Sequence, residues 1–160
     1  MIIAGVDPGL SGAVAFVDSA RRCLVHDIPT LALSRHGKNK REIDVHALAE
    51  LLTEHPADHV FIEQVGAMPG QGVSSVFAFG KSYGIIIGEL AVLKRPYTFV
   101  NPRLWKTALG VPAAKDGARA RASQLLPAAA GQWTRVKDDG RAEAALIALY
   151  GHQLQEKSAA

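Results

Sequence analysis

The chain is 160 residues long, 48% hydrophobic and 21% charged, with a net charge of +3 and a pI near 9.2. That length and composition fit one domain with its own core and leave no room for a two-domain architecture. The single cysteine, Cys23, excludes an intrachain disulfide and a cysteine-built zinc site, and a reducing cytoplasm is the expected compartment.

An apolar run over 2–6 ends on Asp7, a Pro-Gly-Leu-Ser-Gly turn follows, and a second apolar run covers 13–17. This pattern predicts two strands joined by a tight turn. Asp7 then stands at the tip of a buried central strand, where a carboxylate is costly unless something cationic meets it. Gly9 and Gly12 carry no Cβ, so a ligand or a phosphate can approach the backbone closely. A turn over 18–21 leads to a third strand, 23–28, and the three make an antiparallel meander. The polar, basic stretch 29–40 has no period and is predicted to be a loop. Asp44 caps a helix over 45–54, on which Ala47, Leu48, Leu51 and Leu52 form one apolar face. Residues 59–64 (HVFIEQ) are a fourth strand with Glu63 at its tip, and a flexible loop over 68–72 follows.

The longest apolar stretch, 73–93, carries Lys81 and Glu89 and is read as a buried helix over 74–93, not a membrane span. Gly80, Gly84 and Gly88 share one face of it, each costing roughly 1 kcal/mol against alanine. Close packing must offset that, either onto the chain's own sheet or onto the same helix of a second subunit. Residues 97–100 are the fifth strand, and Asn101-Pro102 starts a helix to Leu109. Another helix covers 116–126. The last opens at Asp139 or Gly140 and runs to about Leu154, so that 1–155 form one domain and 156–160 a frayed tail. This order predicts an α/β fold: a five-stranded mixed sheet, antiparallel on one side and parallel on the other, flanked by helices on both faces.

Three acidic positions are notable: Asp7, Glu63, and the group Asp138, Asp139 and Glu143 at the start of the last helix. Residues 139 and 143 are four apart and project from one helical face. The tips of the first and fourth strands are neighbours in such a sheet, and a helix N-terminus above them completes a carboxylate cluster. Carboxylates that close cannot all stay ionised unpaired. Oxygen-only ligands favour Mg²⁺, with Mn²⁺ as a substitute, and two such ions about 4 Å apart are an apparatus for phosphodiester cleavage. The basic residues cluster at 35–41, 94–95, 103–106 and 115–121, which favours a polyanionic partner.

Several stretches together resemble the RuvC-type Holliday junction resolvases of the ribonuclease H superfamily. GVDPGLSGAVAFVD (5–18) resembles their opening and FIEQV (61–65) their second acidic motif. VFAFGKSYGIIIGEL (76–90) resembles their long central helix, and NPRLWKTALG with the following basic helix their basic region. DDGRAEAALIAL (138–149) resembles the closing acidic motif in its phage and organellar form. The likeness covers nearly the whole chain in order. It implies a ribonuclease H-like fold and metal-binding roles for Asp7, Glu63, Asp139 and Glu143. The bacterial enzymes space their last two acids three apart; here that position is Gly140, so Asp139 takes the role, with Asp138 as fallback.

Lys106 and Lys115 match basic residues used on DNA, and Lys38, Lys40, Arg41, Lys81, Arg103 and Arg119 join them as expected phosphate contacts. Met68 lies where the family presses residues into the junction centre. The implied activity is metal-dependent resolution of four-way or branched DNA by a homodimer joined through helix 74–93, each site using two ions. The implied compartment is cytoplasmic, that of the host for a phage protein, with an organelle as alternative. Three rivals stand beside this reading. A sugar-kinase or actin-type ATPase also opens with an acid and glycines but needs a second domain. A ribonuclease H cutting RNA–DNA hybrids shares the acids. A non-catalytic junction-binding protein leaves the four acids without a purpose.

Overall fold

The computed structural model describes residues 1–35, 38–66 and 70–159, with side chains for all of these but 35, 38, 39 and 159. In chain order the strands are β1 (Ile2–Asp7), β2 (Ala13–Asp18), β3 (Cys23–Asp27), β4 (Thr30–Arg35), β5 (Lys38–Ile43), β6 (His59–Glu63) and β7 (Tyr97–Val100). The helices are α1 (Val45–Glu54), α2 (Val73–Val92), α3 (Pro102–Ala108), α4 (Gly117–Leu125) and α5 (Asp139–Ala159), with short 3₁₀ segments at Pro127–Trp133 and Val136–Asp138.

Five strands form one sheet in the order β3-β2-β1-β6-β7. β1 pairs antiparallel with β2 and parallel with β6, and β6 pairs parallel with β7. The expected mixed sheet is therefore present. Alternation along each strand divides the core in two. Ile3, Ala13, Ala15, Val17 and Phe61 face α3, α4 and α5, while Ala4, Val6, Val14, Phe16, Val60 and Ile62 face α1 and α2. By the same alternation, Asp7 follows Ile3 and Gly5, and Glu63 follows Phe61, onto the face covered by α5.

The seating of α5 depends on two glycines. A Cβ on Gly5 would collide with the backbone of Ala144 and Ala148, and one on Gly151 would collide with the ring of Phe61. Across that gap α5 offers Ala144, Ala145 and Ala148, all fully buried. The small residues on both sides let the helix backbone lie on the strand, which brings the first turn of α5 over the tips of β1 and β6.

Three expectations are corrected. The stretch 29–40, predicted to be a loop, is mostly strand among the described residues: β4 and β5 pair antiparallel as a hairpin, from Thr30↔Ile43 to Arg35↔Lys38. A ladder is made by the backbone, so polar strands can form it when the rest of the chain holds them. Ile28 and Ile43 are buried at the base of the hairpin, Arg41 donates to Leu10 O at 2.7 Å, and Lys81 of α2 pairs with Glu42.

The second correction concerns α2, which is not a buried helix. Only Ser82, Ile86 and Leu90 are buried, and Val73, Phe77 and Val92 are 75–86% exposed. A Cβ on Gly80, Gly84 or Gly88 would meet nothing within 4 Å, so the glycine face does not pack on the chain's own sheet. By length and hydropathy α2 could cross a membrane, but its three buried residues hold it to the sheet. Third, α5 runs past Leu154 to Ala159. Its last turns (Gln153, Leu154, Gln155, Glu156, Lys157) are good helix formers with no glycine or proline.

Candidate active site

Val6 and Ile62 are paired across the parallel β1–β6 ladder, so Asp7 and Glu63 stand side by side at its end. α5 adds Glu143 from its second turn. α3 begins where β7 ends, with Asn101 capping it through Arg103 N–H and Pro102 in its first turn. It contributes Trp105 and Lys106. The indole Nε1–H of fully buried Trp105 donates to Glu63 Oε1 at 3.0 Å, and Lys106 Nζ lies 5.0 Å from the centre of the same indole. Lys106 Nζ also donates to Glu143 Oε1 at 2.7 Å.

These groups act strongly on one another. Burial, then the carboxylates of Glu143 and Glu63, push Asp7 from its ordinary 3.8 up to about 8, against the opposing pull of Lys106. Burial also raises Glu63, partly countered by the Trp105 hydrogen bond, with Glu143 adding to the rise. Burial works against the charge on Lys106, but its bond to Glu143 and the fields of Glu143, Glu63 and Asp7 outweigh that and raise its pKa. Three carboxylates thus share one ammonium. With all acids ionised, the group carries two negative charges more than it can neutralise internally.

The other two predicted acids are elsewhere engaged. Asp139 accepts from Arg119 Nε of α4 at 2.6 Å. Asp138 is buried, accepts from the backbone N–H of Arg135 at 2.9 Å, and is bracketed by the Arg135 guanidinium, which is the main cause holding its carboxyl below the usual range. The structure therefore places Asp7, Glu63 and Glu143 within electrostatic reach of one another but does not add Asp139. The position three before Glu143 lies directly on the site: a Cβ on Gly140 would stand 2.7 Å from Asp7 Oδ2 and 2.8 Å from Ser11 O.

The donor set is all carboxylate oxygen with excess negative charge, and that chemistry fits Mg²⁺ or Mn²⁺. Among the described residues, however, no three His, Cys, Asp or Glu side chains are drawn together as a ready set of ligands.

The basic candidates divide in the same way. Lys106 belongs to the carboxylate group and Arg119 to Asp139. Lys81 is tied to Glu42, and Arg41 to Leu10 O and Thr30 Oγ1. Lys40, Arg103 and Lys115 are exposed. Lys38 begins β5, and its side chain lies outside the described residues, as does Met68 altogether. Trp105 escaped the sequence reading; its signal was a lone tryptophan one residue before the lysine singled out in NPRLWKTALG.

A mixed five-stranded sheet with helices on both faces, an antiparallel hairpin leading into parallel strands, and acids at adjoining strand tips define a ribonuclease H-like domain. Several solved structures that share this fold are Holliday junction resolvases. RuvC of Thermus thermophilus in complex with Holliday junction substrate superposes with a TM-score of 0.61 at 16% identity over 96% of both chains. Thermus thermophilus RuvC in a second structure gives 0.57 at 17% over 97% of both. The yeast mitochondrial Holliday junction resolvase gives 0.54 at 14%, over 96% of this chain and 80% of that one. No family model and no curated protein sequence matches the chain.

Proposed function

We propose that the protein is a structure-selective DNA endonuclease that resolves four-way junctions by paired, metal-dependent nicks. One observation carries the reading: Asp7, Glu63 and Glu143, from three separate elements, act on one another's charge around a single lysine and remain short of positive charge. A stabilising role does not account for this, because such crowding costs folding energy. A site that accepts cations does.

Asp7, Glu63 and Glu143 would hold the divalent ions, two per site, with Asp139 as the fourth acid once Arg119 exchanges it for a DNA phosphate. When bound, such ions stabilise charge on the phosphodiester oxygens and make water acidic enough to attack near neutral pH. The chain's own residues do the rest. Trp105 fixes the Glu63 carboxylate by its Nε1–H bond and supports Lys106 with its ring. Lys106 can leave Glu143 for the phosphate as metal charge replaces it, and there it offsets the developing negative charge. The exposed Lys40, Arg103 and Lys115 position the DNA backbone without reading its sequence.

Paired nicks require two sites, and α2 offers the surface for a homodimer. Val73, Phe77, Gly80, Gly84, Gly88 and Val92 form an exposed stripe of apolar and small residues at helical spacing. The junction complex of the Thermus protein, which shares the fold, supports four-way DNA as the substrate.

The test is incubation with four-way junctions, linear duplex and RNA–DNA hybrid, with and without Mg²⁺. The wild type is expected to nick opposite strands of the junction symmetrically, only with metal. Asp7→Asn is expected to bind the junction and leave it uncut. Cleavage by Asp7→Asn at the wild-type rate, or preferential cutting of hybrid, refutes the proposal.

A further inference from the structure

A cleft of about 410 Å³ opens beside Asp7, between the bare turn at 8–12 and the first half of α2, where Ser75, Ala78 and Phe79 line it. A second cleft of about 430 Å³ shares Leu10, Ala78 and Ser82 with the first and runs on beneath the β4–β5 hairpin to Lys40, Arg41 and Lys81. Together they form one groove that starts at Asp7, has an apolar floor and ends at Lys40 and Arg41 beside the Lys81–Glu42 pair. Phe79 lines the part beside Asp7. A Cβ on Gly9 would lie 3.7 Å from the Phe79 ring, so the ring sits over backbone with no side chain in between. Phe79 is itself held: it stacks near-parallel on Tyr83 (6.3 Å between centroids, 16°), and Tyr83 leans on Phe99 at 5.8 Å. This aromatic row is separate from the exposed stripe of α2, since Phe79 precedes the buried Ser82 and Ile86 on the inward side.

We infer that this groove receives one unpaired nucleotide of the branched strand, its base stacked on Phe79 while the adjoining phosphate lies at Asp7. The inference rests on the nuclease reading above and names what that site selects. A flat aromatic surface beside a cationic rim is the arrangement that holds single-stranded nucleic acid, because every base has a face to stack. The groove is of nucleotide size, and at Gly9 no side chain stands between the turn and the cleft. In a continuous duplex every base is paired and stacked, and drawing one out is costly; at a branch point that cost is largely absent. Phe79 is thus a specificity-determining residue: it favours strands that already have a base free near the scissile phosphate. The polar groups facing the cleft are few, Ser75 and Ser11 among them, so selection is for an unstacked base more than for a particular one.

The experiment is a binding cycle on a cleavage-silent Asp7→Asn background. Four-way junctions carry a single abasic nucleotide, scanned across the branch-point positions, and are bound by the Asp7→Asn protein and by its Phe79→Ala and Phe79→Trp derivatives. With Phe79 or Trp present, removing the base at one position is expected to weaken binding roughly 5- to 100-fold, as loss of one stacked base does. With Ala, the same abasic junction is expected to bind as well as the intact one. Equal abasic penalties in all three proteins at every position overturn the inference. So does a Phe79→Ala protein that changes oligomeric state, for then the residue serves a second copy of the chain. Wild-type protein that cuts no branched DNA with Mg²⁺ would instead refute the nuclease reading, independently of Phe79.

Discussion

Two sets of acids meet around the first turns of α5, and the chain treats them in opposite ways. Asp138 and Asp139 each have an arginine, and the carboxyl of Asp138 is held below its usual range by Arg135. Asp7, Glu63 and Glu143 share one lysine, and burial with mutual repulsion pushes Asp7 to about 8. Asp138 is shielded from water chiefly by the exposed Arg135 guanidinium that pairs with it, whereas Asp7 lies deep at the end of the sheet. The difference is whether a permanent partner has been supplied. Acids with a resident guanidinium hold the molecule together, whereas acids left short of charge are available for ions that arrive later.

The largest effect that could break this distinction is on stability. Below pH 3.8 Asp7 is protonated in both folded and unfolded chains and costs nothing. Between 3.8 and about 8 the unfolded chain releases that proton and the folded chain keeps it, so stability falls as pH rises, and the full cost is present above about 8. A shift of that size corresponds to a cost on the order of 5 kcal/mol. Asp7→Asn is therefore expected to melt at a higher temperature than wild type in metal-free buffer, by a margin that widens from pH 5 to pH 8. Glu63, Glu143 and Lys106 are the groups facing Asp7, and all remain in the variant. Mg²⁺ is expected to narrow the gap by stabilising only the wild type. Parallel melting curves across this range would mean that Asp7 is not under charge stress.

The sequence carried much of this site and missed its organisation. Asp7 and Glu63 were legible because an apolar run ending in an acid marks a strand tip, and the parallel crossover makes those tips neighbours. Glu143 was legible from its place at the start of the last helix and from the family resemblance, but its spacing from Asp139 suggested a pair that the structure does not bring to the site. The partner of Asp139 was not legible, because Arg119 reaches it through the packing of α4 on α5, which no local pattern encodes; Arg135 meets Asp138 locally, three residues away, in a 3₁₀ turn that was not anticipated from the sequence. Nor was the hairpin of β4 and β5: its strands are polar and basic and lack a continuous buried face, and their register is held by contacts with Leu10 and Lys81 far away in sequence. For α2, composition was misleading. Apolar content implied burial, whereas only three of its residues are buried.

A smaller effect is expected at the lysine that the crowded acids share. Lys106→Met keeps much of the side-chain length and removes the charge. Junction affinity is expected to fall in low salt, and the slope of log K against log salt to become shallower by about 1, the signature of one lost phosphate contact. Cleavage is expected to fall further than binding, because the lysine also sits among the carboxylates. An unchanged salt slope would leave Lys106 as a counter-ion to Glu143 alone.

The smallest effect tests the boundary between the two sets, which runs through Asp139. Its pair with Arg119 is partly exposed, with 40% of the Asp139 side chain accessible, and such pairs contribute about 0–1 kcal/mol. Arg119→Gln should therefore change the melting temperature by no more than about 4 °C. Its consequence for metal should be more informative. If Asp139 is the fourth acid and Arg119 only holds it in reserve, freeing it strengthens Mg²⁺ binding, read as a larger Mg²⁺-induced rise in melting temperature than in wild type. Asp139→Asn should then show a smaller rise than wild type. If instead both variants respond to Mg²⁺ as wild type does, Asp139 belongs with Asp138 among the structural acids. The metal site would then consist of three carboxylates, with Gly140 at the place where a fourth could have stood.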